Sequence, residues 1–320
     1  MYGSLPRSLL LWPALVVVVG LMLPSFLNNY VLYIASGLIV YVVLALGLDL
    51  MMGRAGLFAF SHIAFFGIGA YMTSILQTTY GVPFPAGMVA AVIVSAVVGT
   101  LVAMASVRMR HIYLGLATVA FASGVHWIFQ NWTSVTGGVD GFRLQPADFV
   151  IFQAIGDQAS FRVLAVMFAL VLLATFYLTR SKLGRSLTAI RDSEHVAAVS
   201  GISVERTKIW VFVISSAYAS VAGSMLVVFN AFISPEAFHF APAVLLLTML
   251  VVGGMGTIPG VVIGSIIIGL LPEVLRTTMH EYLIWQEFVY GLILVVSITL
   301  MPQGIWGLIT QTLAKNRRPS

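Results

Sequence analysis

Long apolar runs separated by short polar breaks set the pattern of this chain. A helix needs about 20 consecutive apolar residues to cross the hydrocarbon core of a bilayer. Ten stretches approach or reach that length: roughly 9–27, 30–52, 57–77, 84–107, 111–130, 161–179, 209–232, 241–255, 258–275 and 284–301. They predict an all-α, polytopic membrane fold occupying residues 1–320 as one transmembrane domain. The stretch 241–255 is short for a crossing and reads as a broken or re-entrant helix. The first run follows Arg7 as a secretory signal would, but it is too long and lacks a small-residue cleavage site, so it reads as a retained span.

One segment breaks the pattern. Residues 180–208 carry six basic side chains (Arg180, Lys182, Arg185, Arg191, Arg206, Lys208) against three acids (Asp192, Glu194, Glu205), a net charge of +3. Leu183, Leu187, Ile190 and Ala197 recur at helical spacing within it, so the segment folds as an elbow with an apolar stripe. Asp192 or Ser193 is placed to cap a second short helix that Gly201 ends. Apolar anchors under exposed charge make such an elbow a docking surface for another protein.

Basic residues mark cytoplasmic loops. With Arg7 inside, the inside breaks hold Arg54, Arg108 with Arg110, the elbow, and Lys315, Arg317 and Arg318. The outside breaks 78–83, 131–160, 233–240 and 276–283 are poor in basic residues, and both termini come out cytoplasmic. The 131–160 break is the longest outside and contains the turn signals Thr136-Gly137-Gly138 and Asp140-Gly141. It is either a contact surface for something delivered from outside, through Thr136, Gly137, Gly138 and Asp140, or an ordinary connection.

Composition closes off other classes. With 60% hydrophobic and 8% charged residues and a mean hydropathy of +1.02, the chain cannot cover a water-facing surface. The +5 net charge follows from the orientation rule and needs no nucleic-acid partner. The absence of Cys excludes thiolate sites and disulfides. No phosphate-binding loop, H-E-x-x-H or G-x-S-x-G is present, and no helix face gathers ligands at metal spacing.

Polar groups within the spans are costly and are candidates for function. Asp49 and Arg54 bracket the end of the second segment, as a gate pair or as interfacial groups with Arg54 reaching toward headgroups. His62, beside Ser61, either lines a polar pathway or is a buried imidazole bonded to a neighbouring helix. Gly67 and Gly69 allow close helix contact. Gly253, Gly254 and Gly256 interrupt an apolar run, as a discontinuous helix at a pathway or as a tight hairpin. Mid-span carboxylates are scarce, which points to energy arriving from a separate subunit.

Several stretches together resemble the permeases of branched-chain amino acid ABC transporters, LivM type. They are GRAGLFAFSHIAFFGIGAY (53–71), IYLGLATVAFA (112–122), NWTSVTGGVDGF (131–142), SKLGRSLTAIRDSEHVAAVSGI (181–202), SPEAF (234–238) and LVVGGMGTIPGVVIG (250–264), in the family's order. The likeness runs from about residue 30 to about 310; at Ser61 the family more often has Gly before the His. The resemblance implies an importer permease with no cofactor of its own, ATP and Mg being held by partners. Those partners are a second permease subunit, two cytoplasmic ATPase subunits and an extracytoplasmic amino-acid-binding protein, at a bacterial or archaeal plasma membrane. It implies that Gly184, Arg185, Ala189, Arg191, Glu194, Ala197, Ala198 and Gly201 couple the elbow to an ATPase. Urea, short amides or other amino acids are alternative solutes. A proton-coupled carrier using Asp49, His62 and His126, or a scaffold subunit without a pathway, are the readings from other classes.

Overall fold

The computed structural model describes residues 7–106, 109, 111–150, 152–278, 282–301 and 303–315. Arg108, Arg110, Arg317 and Arg318, which enter the charge argument, lie outside the described residues. In chain order the helices are α1 (Arg7–Met22), α2 (Asn29–Leu48), α3 (His62–Tyr80), α4 (Phe84–Ser106), α5 (His111–Asn131) and the single turn α6 (Thr133–Thr136). They continue as α7 (Asp157–Arg180), α8 (Lys182–Asp192), α9 (Glu194–Val199), α10 (Val204–Phe229), α11 (Ala241–Gly253), α12 (Ile258–Thr278), α13 (Tyr282–Leu300) and α14 (Gly304–Lys315). The strands are two residues each. β1 (Phe142–Arg143) pairs antiparallel with β4 (Phe232–Ile233), and β2 (Ala147–Asp148) with β3 (Gln153–Ala154).

The chain is an all-α membrane protein. Among the described residues, six helical stretches are long and apolar enough to cross a bilayer: Asn29–Arg54, Phe84–Ser106, Asp157–Arg180, Val204–Phe229, Ile258–Leu275 and Phe288–Thr312. Helix is forced on these stretches because lipid offers no partner for a free backbone N–H or C=O. The third apolar stretch, expected from residue 57, becomes helical only at His62. Gly56 ahead of it has φ +69°, which turns the chain out of helix. α11 has 13 residues, too few for a full crossing, and α12 returns beside it. The 253–260 interruption is therefore the turn of a helical hairpin.

The core forms around α10, which packs on α2, α3 and α4. α3 and α10 cross at backbone distance. A Cβ on Gly69 would overlap the Ser220 carbonyl and lie 2.6 Å from its Cα, and one on Gly223 would lie 2.7 Å from Ala70 N. Without a hydrophobic drive between helices in lipid, close packing and interhelical hydrogen bonds hold them. Here Thr73 Oγ1 and Ser224 Oγ lie 2.7 Å apart across the crossing. α1 packs against α7, α2 against α7 and α12, and the α11–α12 hairpin against α13 and α14.

Replacing Gly69 with Leu should push α3 from α10 and destabilise the protein by about 1–3 kcal/mol. Gly124→Leu is the control, since no atom lies within 4 Å of a Cβ there. Thermal melts of the purified protein in detergent should show a drop for the first variant only.

Candidate functional site

The last turn of the second span is the unusual one. Residues Asp49–Arg54 form a π-helical turn, with hydrogen bonds from i to i+5. In an α-helix, positions five apart point about 140° away from each other. The wider turn brings them together, and Arg54 Nε lies 3.3 Å from Asp49 Oδ2. Asp49 is 1% exposed. Its second oxygen accepts the backbone N–H of Gly256 at 2.6 Å, from the hairpin turn after α11. The expectation that Arg54 reaches out to headgroups is not met: its guanidinium is turned onto the buried carboxylate.

Glycines make that approach possible. A Cβ on Gly53 would overlap Asp49 Oδ1 and lie 2.7 Å from Gly256 N. Gly256 has φ +84°, and a Cβ there would stand 2.9 Å from Arg191 Nη1. Arg191 belongs to α8 and donates from Nη1 to the Gly53 carbonyl. One buried carboxylate thus gathers the end of α2 and the hairpin turn, and the elbow reaches the π turn through Arg191.

The elbow 180–208 holds two short helices, α8 and α9, packed on the apolar body by one face. Ser181 Oγ accepts from Gly184 N at 3.3 Å to cap α8. Of the two expected caps for α9 the chain uses Ser193, whose Oγ accepts from Val196 N at 3.4 Å. Gly201, φ +83°, ends α9: its N–H bonds Ala198 O and the N–H of Ile202 bonds Ala197 O, both at 3.0 Å. Leu187, Ile190 and Ala197 are buried on the body side, and Leu183 is half-buried. Gly184 is buried because a Cβ would crowd the Leu178 and Thr179 carbonyls of α7. Arg185 and Ala198 are exposed, Ala189 and Glu194 half-buried, while Val196 and Val199 stand out at 64% and 87% exposure. Lys208 Nζ pairs with Glu194 Oε1 at 2.6 Å, closing the elbow onto the start of α10. That pair and the reach of Arg191 to Gly53 were not legible from sequence: their partners lie 14 and 138 residues away.

His62 is a strut. Its Nε2 lies 2.8 Å from the Leu44 carbonyl, which can only accept, so the neutral ring carries its proton there. Nδ1 lies 3.1 Å from Ser215 Oγ, itself 2.9 Å from the Gly47 carbonyl. The ring ties α2, α3 and α10 together, through a serine that sequence reasoning did not single out. Ser61 is fully buried beside it. Gly67 lies elsewhere, beneath an aromatic cluster: a Cβ on it would touch Phe129 and Phe238. Tyr71 stacks on Phe129 at 4.4 Å, and Phe66 meets Phe238 edge-on at 5.3 Å. Gly253 and Gly254 are buried where α11 packs on α12 and α14. Thr136 and Gly138 are also buried, so they cannot form a contact surface. Thr136 Oγ1 bonds the Phe129 carbonyl at 2.7 Å and accepts from Gly138 N at 3.2 Å, building the turn in which Gly137 has φ +75°. Asp140 is exposed at its rim.

The family described as branched-chain amino acid transport system, permease component, matches residues 30–298. The chain is similar to the high-affinity branched-chain amino acid transport system permease protein LivM of Salmonella typhimurium. The two are 30% identical over 95% of this chain and 76% of that protein. LivM of Escherichia coli matches to the same extent. LivH of Escherichia coli is 27% identical over 83% of this chain and 91% of its own. No solved structure matches.

Removing one partner of a buried ion pair leaves an uncompensated charge and costs about 3–5 kcal/mol. Asp49→Ala should lower the melting temperature of the protein in nanodiscs sharply, and the double variant Asp49→Ala/Arg54→Met should recover at least half the loss. Additive losses would show that the two groups are not coupled.

Proposed function

The chain belongs to the branched-chain amino acid transport permease family, and from that premise we propose that it forms part of the solute pathway of an ATP-driven importer of aliphatic amino acids. A second, related permease completes the pathway, two ATPase subunits dock on the cytoplasmic side with ATP and Mg, and a binding protein delivers the solute from outside. The chain is multi-pass and sits in the plasma membrane of a bacterium or archaeon. Ten membrane segments with both termini and the elbow cytoplasmic fit the placement of its basic residues.

The observation that carries the reading is the elbow. It presents Arg185, Ala198, Val196 and Val199 outward and sends Arg191 inward to the turn that holds Asp49. Burying Val196 and Val199 against an ATPase contributes on the order of 2 kcal/mol each. When ATP closes the ATPase pair, the elbow moves with it, and α7 and α10, which flank the elbow directly, tilt to switch access. Gly184 and Ala197 seat the elbow against the body, Ala189 lies between its two sides, and Gly201 sets the angle at which the chain leaves it.

Proteoliposomes containing the assembled subunits should take up radiolabelled leucine with ATP and the binding protein. Ala198→Glu changes an exposed site, so folding should persist while leucine uptake falls at least tenfold and ATP hydrolysis continues. Normal uptake by this variant would remove the elbow from the coupling role, and proton-driven uptake by the lone chain would overturn the importer reading.

A further inference from the structure

The segment joining α5 to α7 ends in a tight hairpin whose base is buried and whose tip is bare. β2 and β3 pair at Ala147–Ala154 and Asp148–Gln153, and Phe149 N donates to the Phe152 carbonyl at 2.9 Å. Ala147 and Ala154 are buried, and Gln77 Nε2 of α3 donates to the Pro146 carbonyl at 2.8 Å. Phe149 packs on Phe84, the first residue of α4, with ring centroids 4.9 Å apart. Beyond this base Val150, Phe152 and Ile155 are 74%, 51% and 67% exposed. Val150, at φ +71°, is the one non-glycine among the described residues in the left-handed region. A β-branched side chain is an outlier there, and tight hairpins place Gly or Asn instead. Asp148 is the one charged residue between Leu144 and Gly156, and its Oδ1 accepts Val150 N at 3.0 Å.

The hairpin sits where two spans begin. α4 runs from Phe84 and shows Val89, Ile93, Val97 and Leu101 at four-residue spacing, each more than half exposed, as a face for lipid. α7 starts at Asp157, just after Ile155, and ends at Arg180 before the elbow, so about 36 Å of helix separates hairpin from elbow. The tip therefore lies at the bilayer boundary on the side opposite the elbow. Apolar and aromatic side chains at that depth gain by leaving water for the boundary of headgroups and acyl chains. A soluble partner is a poorer match, because such interfaces are about as polar as the rest of a protein surface. Among the described residues from Ala147 to Ile155, Gln153 is the one exposed polar side chain. We propose that the β2–β3 hairpin is an interfacial anchor, seating Val150, Phe152 and Ile155 among the glycerol and upper acyl groups of phospholipid. Through Gln77, Phe84 and Asp157 it sets the depth of the adjoining ends of α3, α4 and α7. The anchor follows from the chain's place in a membrane and not from the solute it carries.

The chain has no Cys, so a single introduced one takes a nitroxide spin label at that site alone. Ile155→Cys and Phe152→Cys are labelled in turn and extracted, with whatever subunits accompany the chain, in polymer-bounded native nanodiscs. Power saturation then reads collisions with oxygen, which concentrates among acyl chains, and with a neutral nickel chelate, which stays in water. Asp140→Cys, exposed in the same segment, is the aqueous reference, and Val97→Cys the lipid reference. The ratio of oxygen to nickel collisions at Ile155→Cys should exceed that at Asp140→Cys at least fivefold and approach that at Val97→Cys. Phe152→Cys should agree wherever its melting temperature matches the native protein, since it gives up the ring stack on Phe149. A smaller excess puts the tip in water and overturns the proposal. Suppression of both collision rates puts it under another protein and overturns the proposal equally.

Discussion

A carboxylate taken out of water loses several kcal/mol of hydration unless donors replace it. Asp49 is that carboxylate, 1% exposed at the end of a span. Much of what is irregular around it follows from finding those donors. The π turn exists where Arg54 must come round to Oδ2. Gly53 has no side chain because one would occupy the place of Oδ1. Gly256 takes a left-handed φ in the turn that presents its N–H to the same group. The hairpin turn is fixed in position because its backbone serves as a ligand of a buried charge.

The elbow is joined to this point by links of unequal strength. Glu194 is 40% exposed, so its pair with Lys208 is screened and worth about 0–1 kcal/mol. The charged hydrogen bond from Arg191 to Gly53 is worth about 1.5–3 kcal/mol. The Asp49 cluster is costlier to break than either. Of these polar links the Lys208–Glu194 pair is the first to yield and the Asp49 cluster the last, while Leu187, Ile190 and Ala197 keep the elbow on the body. An arrangement of weak outer and strong inner links lets the elbow move while the hairpin and the end of α2 stay together.

Much of the fold could be read from the chain because lipid leaves few choices: apolar runs of sufficient length become helices, and each expected stretch carries one. The elbow was equally plain, since Ser193 and Gly201 are local signals with local effects. What was not legible depends on register and on distance. Asp49 and Arg54 read either as a gate pair or as interfacial groups, because α-helical geometry separates them and nothing in six residues announces a π turn. Gly256 reads as a breaker, whereas its use is as an N–H donor to a residue 207 positions away. Thr136 and Gly138 carry turn chemistry, which sequence does not distinguish from recognition chemistry; burial decides it. His62 had two readings, and the Leu44 carbonyl and Ser215 supply the partners of a strut.

α10 connects the two ends of the molecule. Its 26 residues span about 39 Å. One end begins at the elbow, beside the Lys208–Glu194 pair; the other leads into β4, paired with β1 of the 131–160 segment, and then to Phe238 in the aromatic cluster. Between them α10 crosses α3 at Gly69 and Gly223, where backbones touch and sliding meets hard contact. Ser220 and Gly223 lie in the half of α10 farther from the elbow, and buried residues run from Thr207 to Val228, so the helix is held along its length. The glycines at the crossing thus set how closely α3 and α10 pack, and α10 links the elbow to the strand pair without any charge in its middle.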